Sequence, residues 1–116
     1  MKKVLIIDDN VELCRDLKSV LENRLKNNKI EFTNCPVEGY KKSKENYDLV
    51  ISDYNMPKMS GKVLSEILKF DNPSIKIMML SGNREEINKS SKNVDMMALK
   101  GGDLDKLIRK VKILLS

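Results

Sequence analysis

Five polar residues stand where apolar runs of this chain end. Asp8 and Asp9 follow Val4-Leu5-Ile6-Ile7, Asp53 follows Leu49-Val50-Ile51, Ser81 closes Ile75 to Leu80, and Lys100 closes Val94 to Leu99. Three carboxylates drawn together repel and raise one another's pKa unless a cation sits among them. A hard divalent ion with oxygen ligands, Mg2+ above all, is the matching counter-charge. With a lysine ammonium and a serine hydroxyl nearby, the set is a toolkit for phosphoryl transfer, in which positioning and charge neutralisation supply most of the catalysis. Asp53 would be the nucleophile, forming an acyl phosphate, and Asp8 and Asp9 would hold the metal directly or through water. Singly, each has a bland reading, because Asp caps turns and Asp, Ser and Lys commonly end strands. The five together, in this order, are much harder to attribute to that.

Such residues meet only if the runs are parallel strands ending along one edge. Residues 2–8 read as a strand buried on both faces. Asn10 caps a helix with Leu13, Cys14, Leu17, Val20, Leu21 and Leu25 on one stripe, running to about Asn27-Asn28. Residues 30–34 read as a second strand ended by Pro36, and 37–46 as a mostly exposed second helix. The third strand delivers Asp53 to a loop, after which Ser60 caps a helix with Val63, Leu64, Ile67 and Leu68 inward. Pro73 separates that helix from the fourth strand. Asn83, with Glu86 three residues on, opens a fourth helix in which only Ile87 and Val94 could face a core, so it should be short. A fifth strand follows, and Asp103 caps a last helix with Leu104, Leu107, Ile108, Val111, Leu114 and Leu115 on one face. Strand and helix thus alternate five times, and right-handed crossovers predict an α/β fold with a doubly wound five-stranded parallel sheet and helices on both faces. In such sheets ligands bind outside the carboxyl ends of the strands.

The length, 116 residues, suits a single domain. With 41% hydrophobic and 34% charged residues, the chain is expected to be globular rather than disordered. No apolar run approaches a membrane span, and Met1-Lys2-Lys3 leads into an apolar run too short for a signal peptide, so a cytoplasmic location without membrane attachment is expected. Two cysteines and no histidine exclude zinc chemistry and any Ser-His or Cys-His nucleophile pair. Cys14 reads as a small core residue. The net charge of +5 is spread along the chain with acids among the lysines, which points to a solvated surface rather than nucleic acid.

The order Asp8-Asp9, then Asp53 within Asp-Tyr-Asn-Met-Pro with Ser60-Gly61 after it, then Ser81-Gly82, then Lys100 resembles the receiver domain of two-component response regulators, over the whole chain. The resemblance implies a flavodoxin-like fold and a phospho-acceptor Asp53. It makes Asp8 and Asp9 the acidic metal pocket and the backbone carbonyl of Asn55 a further Mg2+ ligand. Ser81 would follow the phosphoryl group in the switch and Lys100 would pair with a phosphoryl oxygen. It also implies a histidine kinase or histidine phosphotransfer protein as phosphodonor, an unknown downstream protein, a monomer or weak dimer, and a signalling protein rather than a turnover enzyme. Because the chain ends with its last helix, a stand-alone receiver over residues 1–116 without an output domain is expected. Asn55 and Asn83 are expected at the mouth of the site, where water attacking the acyl phosphate would pass, although Asn83 serves equally as a helix cap.

The chain departs from the family's usual pattern in three places. Gly101-Gly102 follows the lysine instead of Pro, Met97 stands where Tyr or Phe is frequent, and the interval from Ser81 to Lys100 is about one helical turn short. An unbranched Met fills space without two sharp rotamers, so phosphorylation is expected to order the segment 83–102 rather than flip a defined face. Two rival readings stand beside this one. Haloacid-dehalogenase-like phosphatases also use an Asp nucleophile but want a second carboxylate where Asn55 stands, and a receiver-fold binding module would take its partner without phosphate.

Overall fold

The computed structural model describes residues 1–87 and 92–116, the side chains of Glu86 and Ile87 excepted. The strands are β1 (Lys3–Ile7), β2 (Lys29–Thr33), β3 (Leu49–Asp53), β4 (Lys76–Ser81) and β5 (Met96–Leu99). Between and after them run α1 (Val11–Arg24), α2 (Pro36–Ser43), α3 (Gly61–Asp71), α4 (Arg84–Ile87) and α5 (Leu104–Leu115). The strands form one sheet in the order β2-β1-β3-β4-β5, and every pairing is parallel. This is the doubly wound α/β fold that the alternation of elements predicts. Residues 88–91, part of the segment in which a short fourth helix and an ordering switch are expected, lie outside the described residues.

The period of two along each strand sorts the core into two layers. Val4 and Ile6 of β1 join Leu49, Ile51, Met78 and Ala98 under α1 and α5, where Leu17, Leu21, Ile108 and Val111 are buried. Leu5 and Ile7 point the other way, with Val50, Ile77 and Met79 against Leu64 and Leu68 of α3. With both faces covered, β1 and β3 can be apolar almost throughout, and the only polar residues they bury stand at or next to their carboxyl ends.

Local details differ from the sequence reading. Pro36 does more than end the second strand: it occupies the first turn of α2, where its missing N–H costs nothing, with Cys35 at the N-cap. The helix α1 stops at Arg24, and Asn27 turns the chain with a left-handed φ of 68°. In α3 the inward positions are Gly61, Leu64, Ser65 and Leu68, which leaves Val63 facing solvent. Leu104 is likewise exposed at the first turn of α5. The strand β5 starts at Met96, and its edge carbonyl at Met97 accepts a hydrogen bond from Lys110 Nζ of α5 at 2.9 Å. No helix among the described residues is long and apolar enough to cross a membrane.

Candidate functional site

Parallel pairing aligns the carboxyl ends of β1, β3, β4 and β5, and the chemistry-bearing residues lie there together. The register sets Ile7 opposite Ser52, Asp53 opposite Leu80, and Ser81 opposite Leu99. One residue further on each strand come Asp8 and Lys100. Asp8 is fully buried, Asp53 nearly so, and Asp9 is exposed. Each of these three carboxylates can present an oxygen within 4.8 Å of those of the other two. Lys100 Nζ lies 2.9 Å from Asp8 Oδ2 and 3.1 Å from Asp53 Oδ2.

The backbone holds the acids in place. The Asn10 amide donates to Asp8 Oδ1 at 2.9 Å, and the Asn55 amide donates to Asp53 Oδ1 at 3.3 Å. Asn10 in turn caps α1 by accepting from the Leu13 amide at 3.1 Å. Burial pushes the Asp53 carboxyl above the usual carboxylate range; the contact with Lys100 opposes this and the charge of Asp8 adds to it. Burial alone would lower the Lys100 pKa, but its contacts with Asp8 and Asp53 outweigh that and hold it above the ordinary lysine value.

The acidic cluster suits a divalent cation. Three carboxylates against one ammonium leave two net negative charges in a partly dry pocket. Asp8 Oδ2 is buried with no donor aligned to it for a hydrogen bond, even with Lys100 Nζ in ion-pair range. An all-oxygen donor set of this kind fits Mg2+.

Ser81 stands at the end of β4 as the sequence places it, but its hydroxyl is engaged with the backbone beyond. Ser81 Oγ accepts from the Asn83 amide at 3.0 Å and donates to the Asn83 carbonyl at 3.2 Å. Asn83 is exposed, and its side chain accepts from the Glu85 amide at 2.8 Å, so it serves as the cap at the start of α4. Asn55 is exposed in the loop after β3.

Three residues support the site in ways that the motif reading does not assign. Asn34, just past β2, donates from Nδ2 to the Asp8 carbonyl at 2.9 Å, and the Cys14 thiol donates to the same oxygen at 3.4 Å. Burial, with the charge of Asp8 beside it, pushes the Cys14 thiol up to about 11. Gly61 is the third: a Cβ there would come within 2.6 Å of the Asp53 carbonyl oxygen and 2.9 Å of Tyr54 Cα, so only glycine lets α3 start this close to β3. The signal for Asn34 was available, since a polar residue follows β2 as Asp8 follows β1, but its meaning depends on the two strands being neighbours.

Fold and site together define a class, and the family model for the response regulator receiver domain matches residues 4–112; the chain belongs to that family. Among curated relatives, a CpxR homolog from Haemophilus influenzae is 38% identical over 90 residues, 77% of this chain, and ZraR from Klebsiella oxytoca is 32% identical over 108 residues, 91% of this chain. The chain spans 38% and 22% of the lengths of those two transcriptional regulatory proteins. Among solved structures, the response regulator TrrA from Thermotoga maritima, in complex with Mg2+-BeF, is 31% identical with a TM-score of 0.89 over 98% of this chain and 99% of that one. TrrA in complex with the histidine kinase ThkA is similar with a TM-score of 0.85 and 31% identity over the whole of both chains.

Proposed function

We propose that this receiver accepts a phosphoryl group on Asp53 in a Mg2+-dependent reaction, from a histidine kinase or histidine phosphotransfer protein, and signals through protein contacts. The carrying observation is the cluster of Asp8, Asp9 and Asp53 oxygens within 4.8 Å, with Lys100 bridging the two buried members. Support comes also from the relative TrrA, which takes Mg2+ with a fluoroberyllate and docks a histidine kinase.

In this reading Asp8, Asp9, Asp53 and the Asn55 carbonyl hold the ion, whose contribution is to cancel the negative charge that would repel an anionic phosphodonor. An Asp53 carboxylate oxygen attacks phosphorus, the bond from phosphorus to the donor nitrogen breaks, and the nitrogen keeps the electron pair and takes up a proton. Lys100 stays with the new acyl phosphate as a point cation, and Ser81 turns from Asn83 toward a phosphoryl oxygen. The chain carries this chemistry on itself and is not a turnover enzyme. Output would pass through the side of the molecule where Arg84, Lys106 and Lys110 rim a hollow of about 370 Å3 between β5 and α5.

The test is incubation with a small phosphodonor such as acetyl phosphate, with and without Mg2+, read by intact mass. Wild type should gain one phosphoryl group only with Mg2+, and Asp53→Asn should gain none. Equal labelling of Asp53→Asn, or labelling unaffected by chelation, overturns the reading.

A further inference from the structure

Asp9 poses a question of support. Asp8 is hydrogen-bonded at its amide, which donates to the Thr33 carbonyl at 3.2 Å, at its carbonyl, which accepts from Asn34 and Cys14, and at Oδ1, which accepts from Asn10, while Oδ2 lies in ion-pair range of Lys100. The Asp9 carboxylate is exposed and has no hydrogen-bond or ion-pair partner among the described residues. What aims it at the cluster is therefore the backbone. The Asp8 carbonyl and the Asp9 amide share one rigid peptide plane, so pinning that oxygen sets the direction from which Asp9 departs.

Two donors pin it from two other elements. Asn34 Nδ2 reaches it from the end of β2 at 2.9 Å, and Cys14 Sγ from α1 at 3.4 Å, with 3.5 Å between the amide and the thiol. We propose that Asn34, assisted by Cys14, is a positioning residue of the cation pocket, holding the Asp8–Asp9 peptide plane so that Asp9 can share an ion with Asp8 and Asp53. The assignment rests on Mg2+ binding at these carboxylates. It needs no contact between Asn34 and the ion, as expected of a group that orients a ligand rather than supplying one.

Calorimetric titration with Mg2+ of wild type, Asn34→Leu, Asp9→Asn and the double variant tests it, all at a temperature where melting curves show the proteins folded. Leucine keeps the branched, four-heavy-atom shape of Asn34, though it is bulkier, and removes its donors. Asn34→Leu should raise the Mg2+ Kd about tenfold. In the Asp9→Asn background the same change should have little further effect, because its influence runs through Asp9. An unchanged Kd in Asn34→Leu overturns the assignment, and so does an equal loss in both backgrounds, which would mark a general loosening of the fold. Should Asn34→Leu fail to fold, Cys14→Ala read in the same cycle carries the same expectation and the same refutation. No Mg2+ binding by wild type would overturn the metal-dependent function itself, and this inference with it.

Discussion

The Ser81 hydroxyl closes a two-way hydrogen bond with the Asn83 backbone, accepting at 3.0 Å and donating at 3.2 Å. A hydroxyl has one proton to give, so it cannot donate to a phosphoryl oxygen on Asp53 while donating to Asn83. Phosphorylation should therefore release the Asn83 carbonyl and loosen the turn that starts α4, the opposite at this one turn of the ordering that the sequence leads one to expect across 83–102. Ser81→Ala should still label at Asp53 but lose the phosphorylation-dependent change in hydrogen exchange at the Asn83 to Glu85 amides, at a cost of about 1 kcal/mol in stability. The same exchange response in Ser81→Ala and wild type would rule this out.

Burial raises the folded-state pKa of Asp53 above its unfolded value. A raised carboxyl favours the fold most below its unfolded pKa, and that advantage is lost as pH climbs through the folded value. At neutral pH without Mg2+ Asp53 therefore costs stability, and Asp53→Asn should be more stable than wild type by a margin of order 1 kcal/mol. Added Mg2+ should raise the wild-type melting temperature and close the gap. A less stable Asp53→Asn in metal-free buffer would contradict this.

On the β2 edge, Glu31 meets Lys42 at 2.7 Å, Lys29 at 3.2 Å and the Tyr47 hydroxyl at 3.0 Å. The bond to Lys42 is the main cause that lowers its carboxyl from 4.5 to about 2. A depressed carboxyl stabilises fully above 4.5, and the contribution drains away as pH falls toward about 2. Glu31→Gln should be less stable than wild type at neutral pH by at most about 1 kcal/mol. Urea denaturation across that acid window should show a shallower pH dependence for the variant, and parallel curves would refute the assignment.

Gly61 tests how closely α3 must approach Asp53. A Cβ would meet the Asp53 carbonyl oxygen at 2.6 Å, the Met79 sulfur at 2.7 Å and Tyr54 Cα at 2.9 Å; the thioether can shift, but the two backbone atoms cannot swing aside as a side-chain tip can. Gly61→Ala should destabilise by about 1–3 kcal/mol and slow phosphorylation, because relief of the clash moves the peptide that carries Asp53. Wild-type values for both the denaturation midpoint and the labelling rate would show that the loop absorbs a methyl group.

The sequence is most legible where one short run carries both the element and its chemistry. Leu49-Val50-Ile51 ending in Asp53, and Val4 to Ile7 ending in Asp8, need no knowledge of the rest of the chain to be read as buried strands that deliver acids. Helical phase is less secure. Val63 and Ser65 lie on either side of Leu64, and apolarity favours the valine, yet the structure buries the serine, whose hydroxyl is satisfied by the Lys62 carbonyl at 2.7 Å. Asn34 and Gly61 were legible only in part, because their importance comes from what another segment brings within a few ångströms of them.

The hydrogen bond from Lys110 to Met97 lies on an outer strand of the sheet. An unclosed sheet offers a row of free backbone groups to any passing extended chain, and two copies meeting there could begin to polymerise. At Met97 that invitation is answered from within the molecule by a charged side chain, which an incoming strand would have to displace and leave without its partner. An arrangement needed for no step of phosphoryl chemistry thus helps keep the chain from templating its own aggregation.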